Sequence, residues 1–219
     1  MFTRLDDILF PNRVEVYDFS EINKFFYPIF KCGSSTLRDI AKDRGFKTLI
    51  NEQIKDLDTI DVFIRNPKER FISGVQGYLF WLEDENPDIN IDTVLYYIRQ
   101  GIILDRHFAH QFQWIINLAR YMNPSAKIHF HSMAMMNEYC RNIKVPMPKL
   151  NIDLQGLEKS PVYAYGMQLD QLILDELVGQ SWTVNQIMTH LMTRDPTAYF
   201  SVIGRTQHIA EVAHVLPKV

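Results

Sequence analysis

At about 150 residues per domain, a chain of 219 residues is one domain, or one domain with appendages. Hydrophobic residues make up 47% and charged residues 22%, the balance of an ordinary globular protein, which excludes disordered and collagen-like chains. Lys and Arg number 23 against 26 Asp and Glu, a net charge of −3, so no global positive field recruits nucleic acid and any anion site must be local.

Cys32 and Cys140 make neither a disulfide framework nor a zinc-type spacing, which suits a reducing compartment. No run approaches the ~18 apolar residues needed to span a bilayer. In chain order, the aromatic and β-branched run Asn23 to Phe30 predicts a buried strand. Small polar residues follow it at Lys31-Cys32-Gly33-Ser34-Ser35-Thr36, and then Leu37, Ile40 and Ala41 at helical spacing, with Gly45 as the stop. A second strand, Thr59 to Arg65, ends at Asn66-Pro67, and Pro67 suits the first turn of a helix running to about Leu82. The acidic stretch Glu83 to Asn90 contains Pro87 and reads as a surface loop. Helices are expected over 91–103 and 111–121, a third strand over 126–131 and two helical patterns within 168–194. Strands alternating with helices predict an α/β fold with a mainly parallel sheet flanked by helices and a helical C-terminal part. In such sheets ligands bind beyond the carboxyl ends of the strands, where both polar turns fall.

A Gly/Ser/Thr turn between a buried strand and a helix gathers backbone N–H groups and a helix N-terminus around one point, and that geometry favours an anion. Ser34, Ser35 and Thr36 add hydroxyls and Lys31 adds a charge. An N-capped helix after a strand is the plain alternative. The turn is not a nucleoside-triphosphate loop, because GxxxxGK[ST] requires Lys just before the Ser/Thr and here Lys precedes the Gly. In the second turn, Arg65 stands at a strand end and Ser73 eight positions later on the helix, a spacing at which a fork and a hydroxyl can converge on a second phosphate.

FKCGSSTL followed by a strand ending in RNPKERFISGVQGY resembles the sulfotransferase superfamily that uses 3′-phosphoadenosine 5′-phosphosulfate (PAPS). Lys31, Gly33, Ser34 and Ser35 match that family's 5′-phosphosulfate loop, and Arg65, Pro67, Arg70, Ser73 and Tyr78 match its 3′-phosphate motif. The phrase Leu104 to Gln111 resembles the Asp-x-His-x-x-x-Gln segment of the carbohydrate (Golgi-type) sulfotransferases. The resemblance covers about residues 23–140, a PAPS-binding core of a single domain over 1–219, with a helical portion at about 150–219. No glycine-bearing C-terminal loop for the 3′-phosphate is evident beyond Gly204-Arg205.

The resemblance implies a P-loop-like core and metal-free transfer of a sulfuryl group from PAPS to a hydroxyl of a carbohydrate or carbohydrate-bearing acceptor. Lys31 would neutralise charge on the leaving phosphate, Cys32 would be a small side chain beside it, and the N–H groups of Gly33 to Thr36 would hold the 5′-phosphate. Arg65 and Ser73, with Tyr78, would hold the 3′-phosphate. Glu52 stands where several branches place a catalytic base, with Asp56 and Asp58 as neighbours. His107 is the other base candidate or a site-lining residue. With no signal or anchor in the sequence, a cytoplasmic bacterial or viral homologue is expected. The rival readings are a nucleoside-triphosphate-dependent kinase of related fold and a binding module with decayed catalytic residues.

His129 and His131 alternate on the third strand and face one side, so metal ligation is conceivable. No third ligand is evident, and hydrogen-bonded histidines without a metal are the expectation. Met133, Met135 and Met136 read as core filler, and Tyr78, Phe80 and Trp81 as an aromatic face that is mostly core.

Overall fold

In the computed structural model of the protein, the residues described are 13–82, 91–99, 107, 109–133, 135–136, 157 and 161–194. They form a six-stranded mixed sheet with six α-helices, an α/β fold. The strands are β1 (Glu15–Phe19), β2 (Lys24–Tyr27), β3 (Lys47–Ile50), β4 (Thr59–Ile64), β5 (Lys127–Ser132) and β6 (Ser181–Thr183). The helices are α1 (Ser34–Asp43), α2 (Pro67–Leu82), α3 (Ile91–Arg99), α4 (Gln111–Ala119), α5 (Pro161–Glu176) and α6 (Val184–Arg194).

Strand order is β3-β1-β2-β4-β5-β6. The pairs β2–β4 and β4–β5 are parallel, whereas β1–β2, β1–β3 and β5–β6 are antiparallel. This corrects the expectation of a mainly parallel sheet. The cause is β1: Ser20–Ile22 and Asn23 turn the chain back on itself, so β1 and β2 form a hairpin. Asn23 supplies the left-handed residue of that turn at φ 54°, a conformation Asn tolerates better than most residues. β3 then adds to the far side of β1, and β2, β3, β4 and β5 all point the same way around the inverted β1.

β4 sits at the centre, and Ile60, Asp61, Val62, Phe63 and Ile64 are buried on both faces of the sheet. Fully burying such apolar side chains contributes about 1.5–3 kcal/mol each. Phe26 and Phe63 stack at 5.5 Å on one face, and Tyr27 approaches Trp114 of α4 on the other. A second apolar cluster joins α2, α3 and α5 through Phe71, Val75, Val94, Leu95, Ile98 and Tyr163, with Leu157. Tyr78 packs half-buried on this cluster, in line with its reading as core. Met136 and, partly, Met133 and Met135 join the main core, as expected of filler.

The expected first strand is shorter than its apolar run, because the chain leaves the sheet after Tyr27 to build the loop 28–33. Ser34, Ser35 and Thr36 belong to the first turn of α1 rather than to the loop, and Gly45 at φ 65° ends that helix region as expected. No helix among the described residues is long and apolar enough to cross a membrane. Cys140, the acidic stretch 83–90, the Leu104–Arg106 part of the carbohydrate-type segment and Gly204-Arg205 lie outside the described residues.

Candidate active site

The loop 28–33 leaves β2 at the edge of the sheet where β4 also ends, and two of its residues take left-handed backbone conformations, Lys31 at φ 64° and Gly33 at φ 80°. Glycine adopts this region freely, whereas Lys31 is held there at a cost of order 1 kcal/mol, a departure that clusters at functional sites. Gly33 is the N-cap of α1 and supplies no side-chain cap, so the first N–H groups of the helix, on Ser34 to Thr36, have no side-chain acceptor at the cap. Ser34 and Thr36 are half-buried and Ser35 is exposed. A Cβ on Gly33 would push aside the flexible end of Met136, so it is the left-handed backbone more than packing that calls for glycine here.

The second turn reaches back to the first. Arg65 Nη1 donates to the carbonyl of Lys31 at 3.4 Å, and Arg70 Nε donates to the carbonyl of Phe30 at 3.0 Å. Glu69, one turn along α2, faces Arg65 Nε at 3.5 Å. Arg70 is 2% exposed, and its Nη2 is buried without a hydrogen-bond partner. A buried, unused guanidinium donor is costly unless a ligand satisfies it. Ser73 is buried on α2 one turn after Arg70, and Arg65 keeps about 30% of its side chain exposed.

Arg70, Gly74 and Gly77 follow one another at i, i+4 and i+7 and form one stripe of α2. A Cβ on Gly74 would lie 2.6 Å from the carbonyl oxygen of His107, and one on Gly77 would collide with Lys31 Nζ. The same Gly77 position is 3.9 Å from His107 Cδ2. The two glycines therefore open the space in which the Lys31 ammonium and the His107 ring meet. Phe30 packs on His107 at 5.4 Å and on Trp114 at 4.8 Å, which fixes the loop against α4.

Gln111 ties these parts together from below. Its Oε1 accepts from the backbone N–H of Arg65 at 2.9 Å and from Cys32 Sγ at 3.1 Å, while its Nε2 donates to the carbonyl of Arg65 at 2.9 Å. Asp170 of α5 holds Gln111 in turn, accepting the N–H groups of Gln111 and Phe112 at 2.9 Å each and facing His110 Nδ1 at 3.5 Å. A carboxylate on the first N–H groups of α4 is favourable with the helix dipole. His110 lies against Gly166, where any side chain would displace the ring. Cys32 is 1% exposed, and burial pushes its thiol up to about 11, so it is a packing and hydrogen-bonding residue rather than a nucleophile.

Glu52 is exposed in the single turn Asn51–Ile54 that follows β3. That turn is anchored by Asn51, whose Oδ1 accepts the N–H of Val14 at 2.9 Å. β3 does bring Glu52 to the edge of the sheet where β2 and β4 end, but β1 lies between β3 and β2. Two strand spacings, about 9–10 Å, separate the ends of β3 and β2. The structure thus brings together Lys31, Gly33, Arg65, Arg70 and His107, with Cys32 and Gln111 beneath them, and leaves Glu52 two strands away. Gln111, Asp170, Gly74 and Gly77 carry roles that the motifs alone did not assign. Comparison with protein-family models, with curated proteins and with solved structures found no match.

Proposed function

We propose that the chain is a PAPS-dependent sulfotransferase with a P-loop-like core, acting on a hydroxyl of a carbohydrate or carbohydrate-bearing acceptor. The observation that carries this reading is the joining of the two turns: Arg65 and Arg70 of the second donate to the carbonyls of Lys31 and Phe30 in the first. Each motif is degenerate by itself. Physically linked at the ends of two adjacent parallel strands, they make one cationic edge suited to a ligand with two separated phosphate groups.

In this reading the N–H groups at the start of α1 receive the 5′-phosphate, and Arg65, Ser73 and the unused Arg70 donor select the 3′-phosphate. The acceptor oxygen attacks sulfur as the bond from sulfur to the bridging phosphate oxygen breaks. The sulfuryl group passes to the acceptor, the 3′,5′-bisphosphate (PAP) departs, and the acceptor proton goes to a base. Positioning and electrostatics dominate such transfers, as they do in phosphoryl transfer. Lys31 neutralises the charge developing on the leaving oxygen. His107 takes the role of base, because it shares the Gly77 space with the Lys31 ammonium while Glu52 stands two strands away.

A melting-temperature panel tests the ligand class. PAP is expected to raise the Tm, by about 2.7 kcal/mol of stabilisation at 100 times its Kd. Adenosine 5′-phosphosulfate, which lacks the 3′-phosphate, should shift it far less. A larger shift with ATP and magnesium would favour the kinase reading, and PAP binding without any turnover of PAPS would favour a binding module.

A further inference from the structure

Away from the edge that carries the loops, one face of the sheet holds a second constellation. His129 and His131 alternate along β5, and Asp61 stands on β4 directly opposite His129 in the parallel register. One donor atom from each of the three lies within 4.8 Å of the others, the one such group of His, Cys, Asp and Glu side chains among the described residues. The third ligand that sequence spacing could not supply comes from the neighbouring strand, 68 residues earlier in the chain.

The arrangement is more than a hydrogen-bonded pair. Asp61 is 1% exposed and accepts from His131 Nε2 at 2.5 Å and from Lys24 Nζ at 2.9 Å. His129 Nδ1 faces the same carboxylate oxygen at 4.0 Å, too far for a hydrogen bond, so this ring nitrogen is aimed at the cluster without bonding to Asp61. With Asp61 and His131 mostly covered and His129 about 35% exposed, the cluster has a closed floor and an open side.

We propose that Asp61, His129 and His131 bind a borderline divalent cation of the zinc class, with solvent at the open position. Two imidazoles and one carboxylate are a ligand set suited to such ions, and with bonds of about 2.0–2.2 Å the donors stand roughly 3.4 Å apart, so His129 closes in on Asp61 from 4.0 Å while Asp61 and His131, at 2.5 Å, give up their hydrogen bond and open. The site would clip β4 to β5 on the sheet face, independently of the sulfotransferase reading. Lys24 is the built-in competitor. Its ammonium neutralises Asp61, so an entering cation must displace it or share the carboxylate with it.

The test is titration of the full-length protein with Zn²⁺ against a chromophoric chelator, with Co²⁺ as a spectroscopic probe. The expected result is one site per chain, with a Co²⁺ spectrum of a low-coordinate nitrogen and oxygen environment and a Tm that rises with Zn²⁺. His129→Gln and His131→Gln should each weaken binding at least tenfold, His190→Gln should leave it unchanged, and Lys24→Met should tighten it about tenfold. His129→Gln is the variant of choice if the more buried His131 change fails to fold. Absence of stoichiometric binding in the wild type would overturn the proposal and leave a plain Lys–Asp–His network. So would a zinc affinity that neither histidine substitution alters.

Discussion

Lys31→Ala is expected to reduce turnover of PAPS at saturation by about 10²–10³-fold while changing PAP affinity by much less. A cation aimed at charge that develops only in the transition state acts on kcat, and removing one such preorganised group has a cost of that order. Lys31 also holds a left-handed backbone conformation at φ 64°, so Ala and Gly separate two effects. Lys31→Gly should recover backbone stability relative to Lys31→Ala but not activity. Gly77→Ala provides the matching change from the other side. An added methyl in the interior of a helix is favourable by up to about 1 kcal/mol in propensity. Here that methyl occupies the place of Lys31 Nζ, and the flexible lysine end must move. Stability should hold or rise while turnover falls towards that of Lys31→Ala. A Gly77→Ala enzyme with full activity would show that the position of the Lys31 ammonium over α2 is irrelevant to the chemistry.

The second large effect is expected at His107. A positioned general base contributes about 10²–10⁴-fold, and His107→Gln should lose that factor in kcat while PAP still binds. Glu52→Gln should cost less than about tenfold, since Glu52 is exposed at the end of β3. Rescue separates a base from a residue that only lines the site: added imidazole should restore turnover to a His107→Ala enzyme only if the ring acts as the base. If Glu52→Gln has the larger effect on turnover and imidazole rescues nothing, the base is the carboxylate, reached by a shift of the β3 end.

The strands that carry the site could be read locally. β2 and β4 are short, mostly apolar runs and β5 alternates Ile128 and Phe130 with polar residues, and Pro67 and Gly45 mark helix limits where the structure has them. β1, β3 and β6 could not. EVYDF mixes charge into its alternation, KTLI is largely exposed, and SWT has three residues, so each is a strand only because a neighbour pairs with it. β1 has a direct consequence at the site: β3 carries Glu52 to the ligand-bearing edge, but the inverted β1 between β3 and β2 sets its distance from Lys31.

The candidate anion-binding residues were legible because their spacing is local, from Lys31 to Thr36 and from Arg65 to Ser73. The groups that hold them are not local: Gln111 clamps Arg65 across 46 positions, and Asp170 holds Gln111 across 59. One local signal marks where α2 is approached. Gly74 and Gly77 inside an apolar helix each forgo about 1 kcal/mol of propensity, which points to a close approach by another part of the chain.

Arg65 is proposed to read a 3′-phosphate on a nucleotide whose 5′-phosphate sits at the start of α1. Calorimetric titration of wild type and Arg65→Ala with PAP and with adenosine 5′-monophosphate tests it most directly. A charge-assisted fork to phosphate is stronger than a neutral hydrogen bond, and losing it should weaken PAP binding by about tenfold or more. The expected result is one site per chain, PAP bound at least tenfold more tightly than the monophosphate by the wild type, and that preference largely erased in Arg65→Ala. Equal affinities for the two nucleotides in the wild type, or a preference for PAP that survives in Arg65→Ala, would contradict it.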